Sequence, residues 1–250
     1  MSWPVFIAGA KRGEARHSPT MDFAPDGVPE GRVAIVTGGS RGVGRETIHR
    51  LASLGYAVIV NYAHDQRAAE STVEAVLADN GTAVAVRADV DDDLDVERLF
   101  TETIEAFGAI DAVVHAVRGR VTAAGVAEIA LDEFDALLRT NIRAAFIVNR
   151  MAARQVRNGG AIVNLSSSAG TPPLACGAYA TTAVATDTLT RVLALELSHR
   201  DITVNVVSLA AGRERRAADI IAYLLSNAGH GITGQVIHVD DQPWVSAENR

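Results

Sequence analysis

The sequence predicts an α/β fold, a doubly wound sheet of seven parallel strands in a single domain, on three observations. Short runs rich in valine, isoleucine and alanine alternate with amphipathic stretches of helical period from Arg32 onward. A glycine-rich turn falls directly after the first apolar run. The chain of 250 residues is within the range of one large domain with a sizeable core. Strands that alternate with helices form βαβ units, and these give a parallel sheet covered on both faces.

Val33–Val36 reads as the first buried strand and Gly38–Gly44 as the turn after it. Arg45–Leu54 follows as a helix stopped by Gly55. Ala57–Val60 is the second strand, Asp65–Leu77 the second helix, closed by Asn80-Gly81, and Thr82–Val86 the third strand. Asp91, Asp92 and Asp93 open the next helix, where acidic side chains suit the positive end of the dipole, and Gly108 ends it. Ile110–Val114 is strand four, Leu131–Met151 one long helix and Ala161–Leu165 strand five. Tyr179–Leu197 is a helix, Ile202–Val207 strand six, Ala217–Ser226 a helix and Gln235–Val239 strand seven.

Composition narrows the function classes. Apolar residues make up 48% of the chain and the net charge is −7, which argues against nucleic acid or an anionic membrane surface as a partner. The single cysteine, Cys176, excludes an internal disulfide framework and fits a reducing compartment, so a cytoplasmic location is expected. No apolar run is long enough to span a bilayer. Residues 1–30 read as an extension and 31–250 as the folded domain. Trp3–Ala10 is apolar, but Lys11 and Arg12 follow it instead of preceding it, the wrong order for a secretory signal. Pro19, Pro25 and Pro29 with Gly27 and Gly31 punctuate the extension like a linker. Lys11 is the only lysine in the chain.

Ligands of open parallel sheets sit beyond the carboxyl ends of the strands. The glycine turn, His115, Ser166–Ser168 and Ser208 all fall at such ends and so converge on one cleft. In Thr37-Gly38-Gly39-Ser40-Arg41-Gly42-Val43-Gly44 the glycines let the backbone approach a pyrophosphate, and the following helix N-terminus favours its charge.

The Thr-Gly-x-x-x-Gly-x-Gly spacing resembles the cofactor loop of the short-chain dehydrogenase/reductase family. The resemblance runs from about Arg32 to Asp240. It includes Ala88-Asp89-Val90, Thr140-Asn141, the segment from Ser166 to Tyr179, Ile202-Thr203-Val204-Asn205 and Thr233-Gly234-Gln235. It implies a Rossmann-type fold and a nicotinamide cofactor held by Gly38, Ser40, Arg41, Gly42, Val43, Gly44, Asn61, Tyr62, Asp89, Val90 and His115. Asp89 and Val90 lie against the adenine in that family. A fold of this kind that prefers NAD usually carries an acid at the end of strand two, and here Asn61 and Tyr62 occupy that end. Arg41 adds a cation near the expected 2′-phosphate, so NADP(H) is the expected cofactor. No metal site is expected.

The resemblance also implies catalytic roles for Tyr179, Ser167 and Asn141: proton donor, carbonyl-orienting hydroxyl and holder of a water in the proton path. Ser166 and Ser168 are near enough to leave the serine's register open by one. Three departures stand out. Tyr179-Ala180-Thr181-Thr182-Ala183 replaces Tyr-x-x-x-Lys, so the cation one turn after the tyrosine is absent, and Arg118 or Arg120 are partial substitutes. Carbonyl reduction uses a protonated tyrosine and survives this loss better than alcohol oxidation, which needs phenolate. His115-Ala116-Val117-Arg118 replaces Asn-Asn-Ala-Gly, so either the backbone shifts at Gly119 or the cofactor sits differently. Ser208-Leu209-Ala210-Ala211-Gly212 lacks the family's proline and runs through Arg213-Glu214-Arg215-Arg216 straight into a helix, without the usual substrate lid. An open cleft, or one covered by the extension or a partner subunit, is expected.

Three functions follow. One is an NADPH-dependent ketoreductase of atypical site, acting on a small-molecule carbonyl substrate such as a bulky ring ketone in secondary metabolism. The second is a non-redox cyclase, isomerase or dehydratase that uses Tyr179 as a proton donor. The third is a catalytically silent homologue that binds a partner. A homodimer or homotetramer is expected for each.

Overall fold

The inner strands are built on apolar runs, as burial on both faces of a parallel sheet demands, while the edge strands β3 and β7 are only partly buried. The computed structural model describes residues 31–119, 124–167, 177–209 and 212–239. The strands are β1 (Val33–Thr37), β2 (Ala57–Tyr62), β3 (Thr82–Arg87), β4 (Ile110–His115), β5 (Val156–Ser167), β6 (Thr203–Leu209) and β7 (Val236–Val239). The helices are α1 (Gly42–Ser53), α2 (Gln66–Ala78), α3 (Asp93–Phe107), α4 (Leu131–Leu137), α5 (Ala144–Gln155), α6 (Gly177–Glu196) and α7 (Glu214–Leu224). The seven strands form one sheet in the order β3-β2-β1-β4-β5-β6-β7, all pairs parallel.

The two faces are buried by different helices. Ala34 and Val36 of β1 face the side covered by Ile48 and Leu51 of α1, Val76 of α2 and Ile221 of α7. Val33 and Ile35 face Leu99 and Phe100 of α3, Val148 of α5 and Leu193 of α6. This is the predicted doubly wound arrangement. The aspartate run acts as expected at α3, where the Asp92 side chain accepts from the backbone N–H of Leu94 and Asp95, and Gly108 closes the helix at φ +83°.

Several boundaries differ from expectation, α1 starting at Gly42 and α6 at Gly177 among them, and three of the differences bear on the site or the sheet. The long helix after β4 is not one α-helix: a π-helical segment, Leu138–Arg143, separates α4 from α5. β5 starts at Val156, not Ala161, because a glycine pair bends the strand. Gly159 is left-handed at φ +75°, and a Cβ on Gly160 would stand 2.4 Å from Val156 Cγ1 and 2.6 Å from the Asp111 carbonyl oxygen. The β4–β5 register shifts there, between Ile110 and Ala112. α7 starts at Glu214, three residues early, since Glu214-Arg215-Arg216 continues as its first turn.

A buried polar knot ties β5 to the helices over it. Asn164 and Asn149 exchange hydrogen bonds of 2.8 and 3.0 Å, and Asn164 Nδ2 also donates to Thr190 Oγ1 of α6 at 2.9 Å. The expectations for residues 1–30, Arg120, Ser168, Cys176 and Asp240 lie outside the described residues. Among the described residues no helix is long and apolar enough to cross a membrane. Asn164→Leu strands the Asn149 carboxamide oxygen and removes a partner of the Thr190 hydroxyl in the core. It is expected to lower the unfolding free energy by roughly 2–4 kcal/mol, read from a urea titration with an unchanged m-value.

Candidate active site

The carboxyl ends of β1, β4 and β5 meet over the start of α6. Between them lies a cleft whose walls include His115, Arg118, Asn141, Ser166, Tyr179 and Ala183. Thus the topology joins three of the predicted residues, His115, Asn141 and Tyr179, although they are distant in sequence. Ser167 is the last residue of β5, next to Ser166.

The glycine turn has the shape its composition implies. Gly38 and Gly42 are left-handed at φ +66° and +54°. A Cβ on Gly44 would stand 2.3 Å from the Gly38 carbonyl oxygen, so helix α1 can only approach the turn this closely through glycine. No side chain caps the N-terminus of α1 and no acid lies in its first turn. Its backbone N–H groups are therefore suited to an anion. Arg41 is exposed beside this turn, and Ser40 is half-buried in it.

Asn61 is a different case. Its side chain is buried, and Nδ2 donates to the carbonyls of Val86 at 3.3 Å and Ala88 at 3.0 Å. The amide laces β2 to β3, while the Asn61 carbonyl accepts from Gly39 N–H at 3.0 Å and so fixes the turn. Tyr62 and Val90 are buried, and Asp89 is exposed at the end of β3, its Oδ1 accepting from Asp91 N–H.

Asn141 lies in the π-helical segment and joins three elements. Its Oδ1 accepts from Gly119 N–H at 2.7 Å, and its Nδ2 donates to Thr182 Oγ1 at 2.9 Å. Thr182 Oγ1 donates in turn to the Tyr179 carbonyl at 2.8 Å. π segments recur at functional sites because they redirect one side chain out of helical register. Gly119, next after Arg118, packs against Leu137 and Asn141, where a Cβ would be 3.1 Å from Leu137 Cδ2. Arg118 reaches across the cleft, its Nη1 donating to the Ser166 carbonyl at 3.4 Å.

His115 is buried, with Nδ1 2.9 Å from Thr37 Oγ1. Burial pushes its pKa down to about 4, so it is neutral in the folded state. Asp187, two turns beyond Tyr179 on α6, was missed by sequence reasoning. It stands between Thr186 and Thr188 in a polar stretch of the helix, so the sequence carried no signal for it. Burial raises its pKa, against the lowering effects of a hydrogen bond from Ser166 and the charges of His238 and Arg191. Among the described residues no cluster of His, Cys, Asp or Glu suits a metal ion.

Comparison with known proteins gives the class. The family profile described as short chain dehydrogenase matches residues 32–215, and the chain belongs to that family. Among curated proteins, versicolorin reductase 1 of Aspergillus parasiticus is 38% identical over 186 residues, covering 73% of this chain and 70% of its own. Tetrahydroxynaphthalene reductase of Pyricularia oryzae is 35% identical over 181 residues, covering 72% and 64%. Among solved structures, a short chain dehydrogenase from Burkholderia cenocepacia in complex with NADP superposes with a TM-score of 0.78 at 30% identity, covering 84% of this chain and 97% of its own.

The buried histidine makes stability depend on pH. Its folded pKa lies below its unfolded value of about 6.5, so the unfolded chain takes up a proton that the folded one refuses. The contribution of neutral His115 is complete above pH 6.5 and lost as the pH falls toward 4. It amounts to on the order of 3 kcal/mol. His115→Gln is expected to flatten the stability curve in this window, measured by urea unfolding between pH 4 and 7.

Proposed function

We propose that the protein is an NADPH-dependent reductase of a bulky ring ketone in secondary metabolism. The observation that carries it is one cleft, beside a glycine turn shaped for a dinucleotide, that contains Tyr179 and Asn141. The relatives support it, because two of them are named as reductases of versicolorin and of tetrahydroxynaphthalene. The solved relative in complex with NADP supports the choice of cofactor, as do exposed Arg41 and the absence of an acid at the end of β2.

The residues of the turn fit the cofactor. Gly38, Gly42 and Gly44 keep the backbone close, and the uncapped N-terminus of α1 would hold the pyrophosphate, with Arg41 available to a 2′-phosphate. The cofactor would supply hydride to the carbonyl carbon. The phenol of Tyr179 would give its proton to the carbonyl oxygen, and Ser167 would orient that oxygen. Asn141 holds the Tyr179 turn in place through Thr182. Ala183 leaves the tyrosine without the family's lysine, which suits an acid better than a base, and therefore reduction.

The short passage from β6, ending at Leu209, to α7, starting at Glu214, supports an open substrate side without a lid, compatible with ring-shaped substrates. Ala183 also favours a second reading, a non-redox enzyme that uses Tyr179 as a proton donor. Phe146 on α5 and Val184, Val192 and Leu195 on α6 are exposed, which supports self-association through these helices into a homodimer or homotetramer.

Fluorescence titration with NADPH and NADH is the first test. NADPH is expected to bind more tightly, and Arg41→Ala to reduce that preference about tenfold, a loss of about 1.4 kcal/mol. Binding of neither nucleotide overturns the reductase reading. Tyr179→Phe is expected to cut NADPH-dependent ketone reduction by about 100-fold or more with nucleotide affinity unchanged. Loss of an activity that needs no nucleotide would instead favour the second reading.

A further inference from the structure

Tyr179 stands in the first turn of α6, and the hydrogen bonds that hold this turn can be followed outward. Thr182 Oγ1 donates to the Tyr179 carbonyl, and Asn141 Nδ2 donates to Thr182 Oγ1. Asn141 belongs to the π-helical segment Leu138–Arg143, which it ties to Gly119 and to α6. Two arginines of the same segment, one on either side of Asn141 in sequence, tie it to a different part of the fold. Arg143 Nη1 donates to the carbonyl oxygen of Asp91 and, at 3.0 Å, to its Oδ1. Arg139 Nε lies 3.6 Å from the other carboxylate oxygen, Oδ2.

Asp91 belongs to the segment 88–92, which leaves the carboxyl end of β3. Asp91 N–H donates to Asp89 Oδ1 at 3.1 Å, Asp89 N–H to Asp95 Oδ2 at 2.8 Å, and Ala88 N–H to the Tyr62 carbonyl at 3.0 Å. Asn61 Nδ2 donates to the Ala88 carbonyl, and the Asn61 carbonyl accepts from Gly39 N–H of the glycine turn. Hydrogen bonds and ion pairs thus lead from the glycine turn, along the ends of β2 and β3, through Asp91 and the π-helical segment, to the turn that carries Tyr179. Isolated exposed ion pairs contribute little. Here one half-buried carboxylate takes two guanidinium groups on different oxygens, and its own carbonyl takes a third contact.

We propose that Asp91 is a positioning residue of the site: by holding Arg139 and Arg143 it sets the register of the π-helical segment, and through Asn141 and Thr182 it aligns Tyr179 with a nucleotide bound at the glycine turn. The inference rests on the reductase reading for the nucleotide and the reaction. Asp91 does not line the cleft of Tyr179, so its removal leaves the reacting groups in place and loosens their alignment. Rate depends steeply on alignment, and an effect of this kind falls on kcat more than on the ketone KM. The two ends of the connection both lie in the site. A nucleotide that orders the glycine turn therefore also orders the π-helical segment, as long as Asp91 joins them.

The test is hydrogen–deuterium exchange of the full chain, with and without NADPH, beside steady-state reduction of a ring ketone. Asp91→Ala is expected to speed exchange about tenfold in peptides covering 138–143 and 177–183 and to leave β1 and β6 unchanged. NADPH is expected to slow exchange over 138–143 in the wild type and not in the variant. The variant's kcat is expected to fall about fivefold with the ketone KM unchanged, and Asp91→Glu to recover most of the rate. Arg143→Ala is expected to reproduce these effects, and the double variant to be no worse than either single one. Arg143→Ala also carries the test if Asp91→Ala folds poorly. Wild-type exchange and kcat in Asp91→Ala overturn the positioning role and leave the reductase reading standing. Faster exchange with unchanged kcat overturns it as well, because Asp91 is then a structural tie alone. A wild-type protein that binds NADPH and reduces no ketone overturns the reductase reading and the positioning role together.

Discussion

The carboxamide of Asn141 holds the cleft together. The residues after β4 leave the sheet with backbone groups that need partners, and Gly119 N–H finds one in Asn141 Oδ1. The same carboxamide, through Thr182, fixes the first turn of α6, which carries Tyr179. The π-helical segment carries this side chain between the two. If the segment were regular α-helix, residues after Leu137 would rotate out of register and the carboxamide would leave one partner unmade. An unmade bond to a buried group costs about 1–3 kcal/mol. Arg118 and Gly119 form one unit with it, because Gly119 supplies the close approach that lets Arg118 cross to the Ser166 carbonyl.

Charge in the cleft is arranged around a neutral centre. His115 is neutral by burial, and its Nδ1 is held by Thr37 at the adjacent strand end. Ala183 contributes no charge, and the cation nearest the end of β5 is the Arg118 guanidinium. On the reductase reading this matters for direction. A lysine one turn from the tyrosine stabilises phenolate and serves oxidation and reduction alike. In this chain the guanidinium of Arg118 is attached instead to the Ser166 carbonyl, across the cleft.

Much of this was legible from sequence for a simple reason. In a parallel sheet each strand is buried on both faces, so it appears as an unbroken apolar run. All seven such runs form strands, and the ends that carry Gly38, His115 and Ser166 converge as that topology requires. What was not legible depends on contacts between distant elements. The π segment looks like ordinary helix, because its hydrophobic spacing is helical and its bond to residue 119 is not visible in sequence. The early start of β5 depends on how Gly160 packs on Asp111. Asn61 sits where a ribose contact is read from sequence, yet its amide faces β3, which only the strand pairing reveals.

The distribution of unsatisfied groups bears on which of these features were selected. Buried polar atoms almost always find partners, and those that do not cost stability. His115 Nε2, Asp187 Oδ1 and Ser208 Oγ are buried without a partner at or beneath the carboxyl ends of β4, β5 and β6. The alternate face of the same strands is filled by leucine and valine, so apolar residues fit these strand ends readily. Of these three only His115 lines the cleft with Tyr179, and further atoms of the same kind, Thr47 Oγ1 and Thr203 Oγ1 among them, lie away from it, so the cost of unpartnered polar groups is spread over the core instead of concentrated at the site.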